Sequence, residues 1–178
     1  MTPEQTESHP LVSYLQSLAA REDRATLAAL RTSLRQGHEL EGLRVVLPFL
    51  SHDAGRRAED DAVLLAGLFA LYPEAGPASL AEALRSIWRP SGRGSENDSI
   101  EGRFMALLAA ARSDLPIHLR HAVSLTAPSG GGIDWDDLYQ AIRYWDHEND
   151  FVRRRWARAF WGSRVQELDS IADEPATA

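Results

Sequence analysis

The 178-residue chain contains no cysteine and no lysine. The first absence excludes a disulfide framework, thiolate chemistry and any zinc site built on cysteine. The second makes all 19 basic residues arginine, so each is a planar fork able to stack on rings or grip a phosphate bidentately. Codon bias in a GC-rich genome produces the same usage, and the physical consequence holds either way. No apolar run reaches the roughly 20 residues that cross a bilayer. The polar, acidic start MTPEQTESHP lacks the basic and apolar regions of a secretion signal. The expectation is a cytoplasmic protein without membrane contact.

Enzymatic signatures are equally scarce. The glycines at 130–132 follow a predicted helix rather than a strand, with no Lys-Ser/Thr after them, which speaks against a phosphate-binding loop. No serine sits in a Gly-x-Ser-x-Gly context. His118 and His121 share one predicted helix at a spacing that lets two imidazoles meet a metal. No HExxH or Glu-x-x-His companion accompanies them, and they read as helix-surface histidines. The acidic run DHEND at 146–150 lacks the spacing of a calcium loop and stands where the next helix needs an N-cap. Catalytic residues, metal and cofactor are therefore expected to be absent.

Helical patterning is what the chain has in abundance. With 44% hydrophobic and 25% charged residues, it is long enough for one core or two small ones that share an interface. Leu11, Leu15 and Leu18 line one face after Pro10. Asp23 caps a helix predicted over 24–35, with Leu27, Leu30 and Leu34 inward. Residues 42–57 are ambiguous: Val45 to Leu47 fits a short strand, but Pro48 and the helical surroundings favour a loop with a turn of helix. The segment 63–72 is apolar on nearly all sides and predicts a central buried helix, with Glu59, Asp60 and Asp61 at its start. Residues 89–99, RPSGRGSENDS, have linker composition. Beyond them Asp98 with Glu101 forms a capping-box pattern, and Trp135, Leu138, Ile142 and Trp145 keep core spacing. The expected fold class is all-α, about eight helices in two small helical bundles packed together. Its boundaries are an N-terminal bundle at 11–88, a linker loop at 89–98, a C-terminal bundle at 99–166 and a disordered acidic tail at 167–178.

Charge is unevenly placed. The chain carries 26 acids and a formal net charge of −7. Residues 134–150 hold one arginine against six acids, whereas 151–166 hold five arginines and no acid. On a helical wheel of FVRRRWARAFWG (151–162), Val152, Trp156, Ala159 and Phe160 form the inward side. Arg154 and Arg158 lie opposite, flanked by Arg153, Arg155 and Arg164. Trp161 falls beside Arg154 and Arg158, where a large ring must enter a partner or stack on a base or guanidinium. A second stripe, Arg24, Arg31 and Arg35, runs along the second helix. Two readings stand side by side. The arginines pair with the neighbouring acids, or they grip a nucleic-acid backbone.

The elements DWDDLYQAIRYWD (134–146) and VRRRWARAFWG (152–162), preceded by PIHLRHAVSLTA (116–127) and GRFMALLAA (102–110), resemble the CasB family, the small subunit of the type I-E CRISPR Cascade complex. The resemblance covers about Leu11 to Gly162. It implies a non-enzymatic, sequence-nonspecific nucleic-acid-binding subunit, two copies of which associate head to tail beside other Cascade subunits. Such copies stabilise the crRNA–DNA heteroduplex and the displaced single strand of the R-loop. Base pairing then supplies sequence choice while protein cations read backbone and shape. The positions matching the family's basic pattern are Arg153, Arg154, Arg155 and Arg158, then Arg31 with Arg35, then Arg103 and Arg120, with Arg93 in the loop. The acidic tail and the acidity of 134–150 depart from that pattern. Two rivals remain, a helix-turn-helix regulator that reads sequence with the arginine helix and a scaffold whose arginines meet acidic proteins.

Overall fold

The computed structural model describes residues 8–88 and 95–162, with 95–98 as backbone only. The expected linker residues 89–94, with Arg93, and the acidic tail therefore lie outside the described residues. The chain is all-α, as expected. Its helices are α1 (Pro10–Ala20), α2 (Arg24–Thr32), α3 (Glu39–Val46), α4 (Arg56–Leu71), α5 (Leu80–Ile87), α6 (Ser95–Ala109), α7 (Leu115–Thr126), α8 (Trp135–Arg143) and α9 (Phe151–Trp161).

The apolar run predicted to be central is central. α4 buries Val63, Leu65, Ala66, Leu68 and Phe69, and α2, α3, α7 and α8 pack around it. It begins a turn earlier than the sequence suggested, at Arg56, so that Asp61 lies inside the helix and only 4% exposed. α5 follows α4 in sequence but packs on α7 and α9. The buried residues form one cluster running from Leu11 to Phe160.

Local chemistry explains most helix ends. Asp23 accepts from the Thr26 amide and hydroxyl, and Ser79 with Glu82 forms a capping box on α5. α2 stops at Thr32, short of the predicted 35, where the buried Ser33 hydroxyl turns back to the Leu30 carbonyl. Residues 42–46 of the stretch expected to be mainly loop complete α3, because Glu39 and Glu41 supply an acidic first turn and Gly42 lets the helix press against Ser33 and Val63. α6 starts at Ser95, three residues before the expected cap at Asp98.

The loop holding the three glycines clips onto the loop after α4. Ile133 donates to the Glu74 carbonyl, Gly76 donates to Ile133, and Asp134 donates to Ala78. Trp135 Nε1 adds a bond to Glu74 (2.9 Å). Gly132 has φ +69°, and a Cβ there would collide with the Ala75 carbonyl. Gly132 thus serves a close backbone crossing.

A polar junction ties the sequence-distant parts together. Arg112, after α6, donates to the Asp61 carboxylate of α4 and to the Ile142 carbonyl of α8. Two residues away, the Ala110 carbonyl accepts from Trp145 Nε1 (3.1 Å) and from Arg153 (3.1 Å). Arg112→Ala leaves Asp61 buried and unpaired, and is expected to cost about 3–5 kcal/mol in a urea unfolding curve.

The residues just before α1 are held on α8. Asp136 accepts from the Ser8 hydroxyl (2.7 Å) and the His9 amide (2.8 Å). His9 Nδ1 accepts from the Leu11 amide (3.2 Å), which requires a neutral ring. Burial, then Arg143, lowers the His9 pKa below 6.5, against the pull of Asp136. The folded state binds this proton less readily than the unfolded one, so the contribution is complete above 6.5 and is lost as pH falls through the lowered value. The protection factor of the Leu11 amide, corrected for intrinsic exchange, should fall below that pH. His9→Asn, which caps without titrating, should abolish the fall.

Candidate nucleic-acid interface

α9 is positioned by its apolar side, and the wheel places that side correctly. Val152, Trp156 and Phe160 are buried. Phe160 stacks on Phe104 with centroids 4.3 Å apart and meets Trp88 at 5.1 Å. Trp156 lies edge-on to Trp145 at 5.5 Å. These contacts with α5, α6 and the end of α8 fix the direction in which each arginine of α9 leaves the helix.

The arginine cluster divides between the two readings. Arg153 is held inside. It pairs with Asp150 (2.8 Å), donates to the Ala110 carbonyl, and lies 5.2 Å from the Trp145 ring centroid. The wheel contains this signal, since Arg153 falls within about 20° of Phe160 and on the inward flank. Arg155 pairs with Asp137 (2.7 Å) across to α8. Burial raises the Asp137 pKa, while Arg155 and the Trp156 N–H oppose the rise. That partnership spans 18 positions in sequence, and no local pattern announces it.

Arg154 and Arg158 are exposed and form no ion pair among the described residues. They stand one turn apart on the same side of α9. The acids that flank the cluster are occupied elsewhere. Asp146 pairs with Arg57, which lowers its pKa, Asp134 caps α8, and Asp136 holds Ser8 and His9. Of the six acids in 134–150, Glu148 alone has no such partner among the described residues.

Trp161 departs from expectation. It is half-buried against the Phe104 ring (5.3 Å), and its Nε1 donates to Glu101 of α6 (2.9 Å). α6 covers that flank of α9, so the ring belongs to the interior contact rather than to a free basic face. Arg103, two residues after Glu101, is exposed and borders a groove with Ile87, Ile100, Leu125 and Pro128. Arg120 is exposed on α7, with His118 half-buried and His121 exposed beside it. Among the described residues no group of three or more His, Asp or Glu gathers in a metal-holding arrangement. Arg31 is exposed on α2, its Nε bonded to the Leu27 carbonyl, whereas Arg35 is exposed beyond the end of α2, so the predicted 24-31-35 stripe does not continue along one helix. α2 packs on α1, α3 and α4, whereas α9 packs chiefly on α5, so the two arginine rows are carried by different neighbours.

Comparison with known proteins follows from this geometry. Residues 26–161 match the family of CRISPR-associated protein Cse2. A relative in Thermus thermophilus, CRISPR-associated protein Cse2, is 35% identical over 147 residues, 80% of this chain and 82% of its own length. The crystal structure of CasB from Thermus thermophilus superposes with a TM-score of 0.70 at 31% identity, covering 85% of this chain and 96% of that one. A chain of a CRISPR RNA-guided surveillance complex shares the fold, with a TM-score of 0.71 at 23% identity over 92% of this chain and 95% of its own.

The division within α9 is open to measurement. Arg155→Ala strands the largely buried Asp137 and should lower stability by about 1–3 kcal/mol. Arg154→Ala should stay within about 0.5 kcal/mol of the parent. Parallel urea titrations of the two variants distinguish the paired arginine from the unpaired one.

Proposed function

The chain belongs to the CRISPR-associated Cse2 family, and we propose that it is the small nucleic-acid-binding subunit of a CRISPR RNA-guided surveillance complex of the Cascade type. In this reading it performs no chemistry of its own. It grips the backbone of the crRNA–DNA heteroduplex and of the displaced single strand, and so stabilises the R-loop. A second copy stands head to tail with the first beside the other Cascade subunits.

The observation that carries the reading is the pair Arg154 and Arg158. They are exposed and without ion pairs among the described residues, while the half-buried Arg153 pairs with Asp150 and Arg155, itself exposed, pairs with Asp137. Holding an unneutralised pair of forked cations at the surface favours a polyanionic partner that arrives from outside. Arg103 on α6, Arg120 on α7, Arg31 on α2 and Arg35 just beyond α2 extend the proposed contact set. None of these arginines is set up to read bases, which suits a complex where sequence is chosen by pairing. A helix-turn-helix reading is less well supported, because residues 144–150 join α8 to α9 where that motif uses a turn of about 3–4 residues. A purely protein-facing scaffold loses its best anchor, since Trp161 already packs on α6.

Binding of the purified chain to an RNA–DNA heteroduplex with a displaced strand should weaken steeply as salt rises and be indifferent to base sequence. Arg154→Glu with Arg158→Glu should reduce affinity at least about tenfold and lower the log–log salt slope by about 2, with helical circular dichroism unchanged. Equal affinity and slope in parent and variant would remove α9 from the interface.

A further inference from the structure

At the N-terminal end of α9, three aromatic rings meet in the open. Tyr144 and Phe151 are each 42% exposed, and His147 is exposed between them. Ring centroids stand 5.2 Å apart for His147 and Phe151, 5.9 Å for Tyr144 and Phe151, and 6.4 Å for Tyr144 and His147. The loop that gathers them is tightly held. His147 donates to the Tyr144 carbonyl, Asp150 donates to the His147 carbonyl, and Asp150 takes φ +48° to turn the chain into α9. His147 Nδ1 accepts from the Asn149 amide (3.3 Å), so the imidazole is fixed as well as exposed.

Apolar surface of this kind is ordinary when single rings are scattered, but a rigid, contiguous group marks a binding surface. Its surroundings say what binds. Phe151, Arg154 and Arg158 fall at i, i+3 and i+7, so the rings continue along the same side of α9 as the two unpaired arginines. At a rise of about 1.5 Å per residue, the cations follow within about 10 Å of Phe151. Arg143 lies 5.8 Å from the Tyr144 ring centroid. Two nearby acids are neutralised, Asp146 by Arg57 and Asp150 by Arg153, while Glu148 alone adds an unpaired negative charge.

We propose that Tyr144, His147 and Phe151 form a stacking platform for unpaired bases of a single strand whose phosphates run along Arg154 and Arg158. A positively charged track with aromatic faces at one end suits single-stranded nucleic acid, whose bases expose their π faces, and it does not suit a duplex, whose bases are already stacked. The assignment rests on the nucleic-acid-binding reading above and adds to it a discrimination between strands with available bases and strands without.

The test uses the full-length chain, an oligothymidylate and an abasic oligonucleotide of equal length, which carries the same phosphates but no bases. The parent should prefer the oligothymidylate by about fivefold or more. Tyr144→Ala with Phe151→Ala should bring both oligonucleotides to the parent's abasic level, and Phe151→Trp should keep the preference. Arg154→Glu with Arg158→Glu should weaken both ligands together. Equal binding of both oligonucleotides by the parent overturns the platform while leaving backbone binding intact. Binding of neither overturns the platform together with the function it rests on. A double-alanine variant that keeps the preference but loses self-association in sedimentation also overturns it, and makes the rings a protein contact. Because the replaced rings are surface residues, unchanged thermal unfolding should confirm that each variant is folded.

Discussion

The ion pair between Asp61 and Arg112 is the constraint on which the rest of the architecture turns. A carboxylate placed inside the central helix is costly unless a partner reaches it. The partner comes from the far side of the chain, and its second bond, to the Ile142 carbonyl, brings α8 to the same point. The next carbonyl but one upstream, Ala110, is closed off by Trp145 and Arg153. One short segment after α6 therefore sets the position of α4, α8 and the first turn of α9. The apolar cluster would accept several slightly different packings, whereas these directional bonds select one.

That selection decides which cations face outward. Once Trp145 and Ala110 fix the beginning of α9, Arg153 lies over the Trp145 ring and Arg155 meets Asp137. The remaining pair forms no ion pair among the described residues, because every acid of 134–150 except Glu148 is engaged, in capping α8, holding Ser8 and His9, or pairing with Arg57, Arg153 and Arg155. The acidity of 134–150 is largely spent on contacts within the chain. It does not blanket the arginine side. A net-negative protein can in this way present a local cationic face, since what a polyanion meets is the nearby field rather than the total.

Much of this was legible in the residues. Buried faces with a 3.6-residue period identified the core of α1, α8 and α9, all-round apolarity identified that of α4, and the cap residue Asp23 was found where the backbone uses it. α3 escaped notice because Pro48 dominated its reading, although the proline sits in the 3-10 turn after the helix and breaks nothing inside it. Trp161 was misplaced for a different reason. A wheel ranks directions around one helix and does not know that α6 lies against that flank, with Glu101 ready to receive the indole N–H. The exposed rings of Tyr144 and His147 sit in a loop outside any helical period, so only Phe151 carried a periodic signal.

The sequence by itself determined the all-helical class, the inward side of each long helix and the concentration of arginine in one segment, since each depends only on residue identity and spacing along the chain. The tertiary structure alone decided which of those arginines are structural and which remain available to a ligand. That choice depends on Asp137, Ala110 and Trp145, residues separated in the chain and brought together by packing around a buried charge.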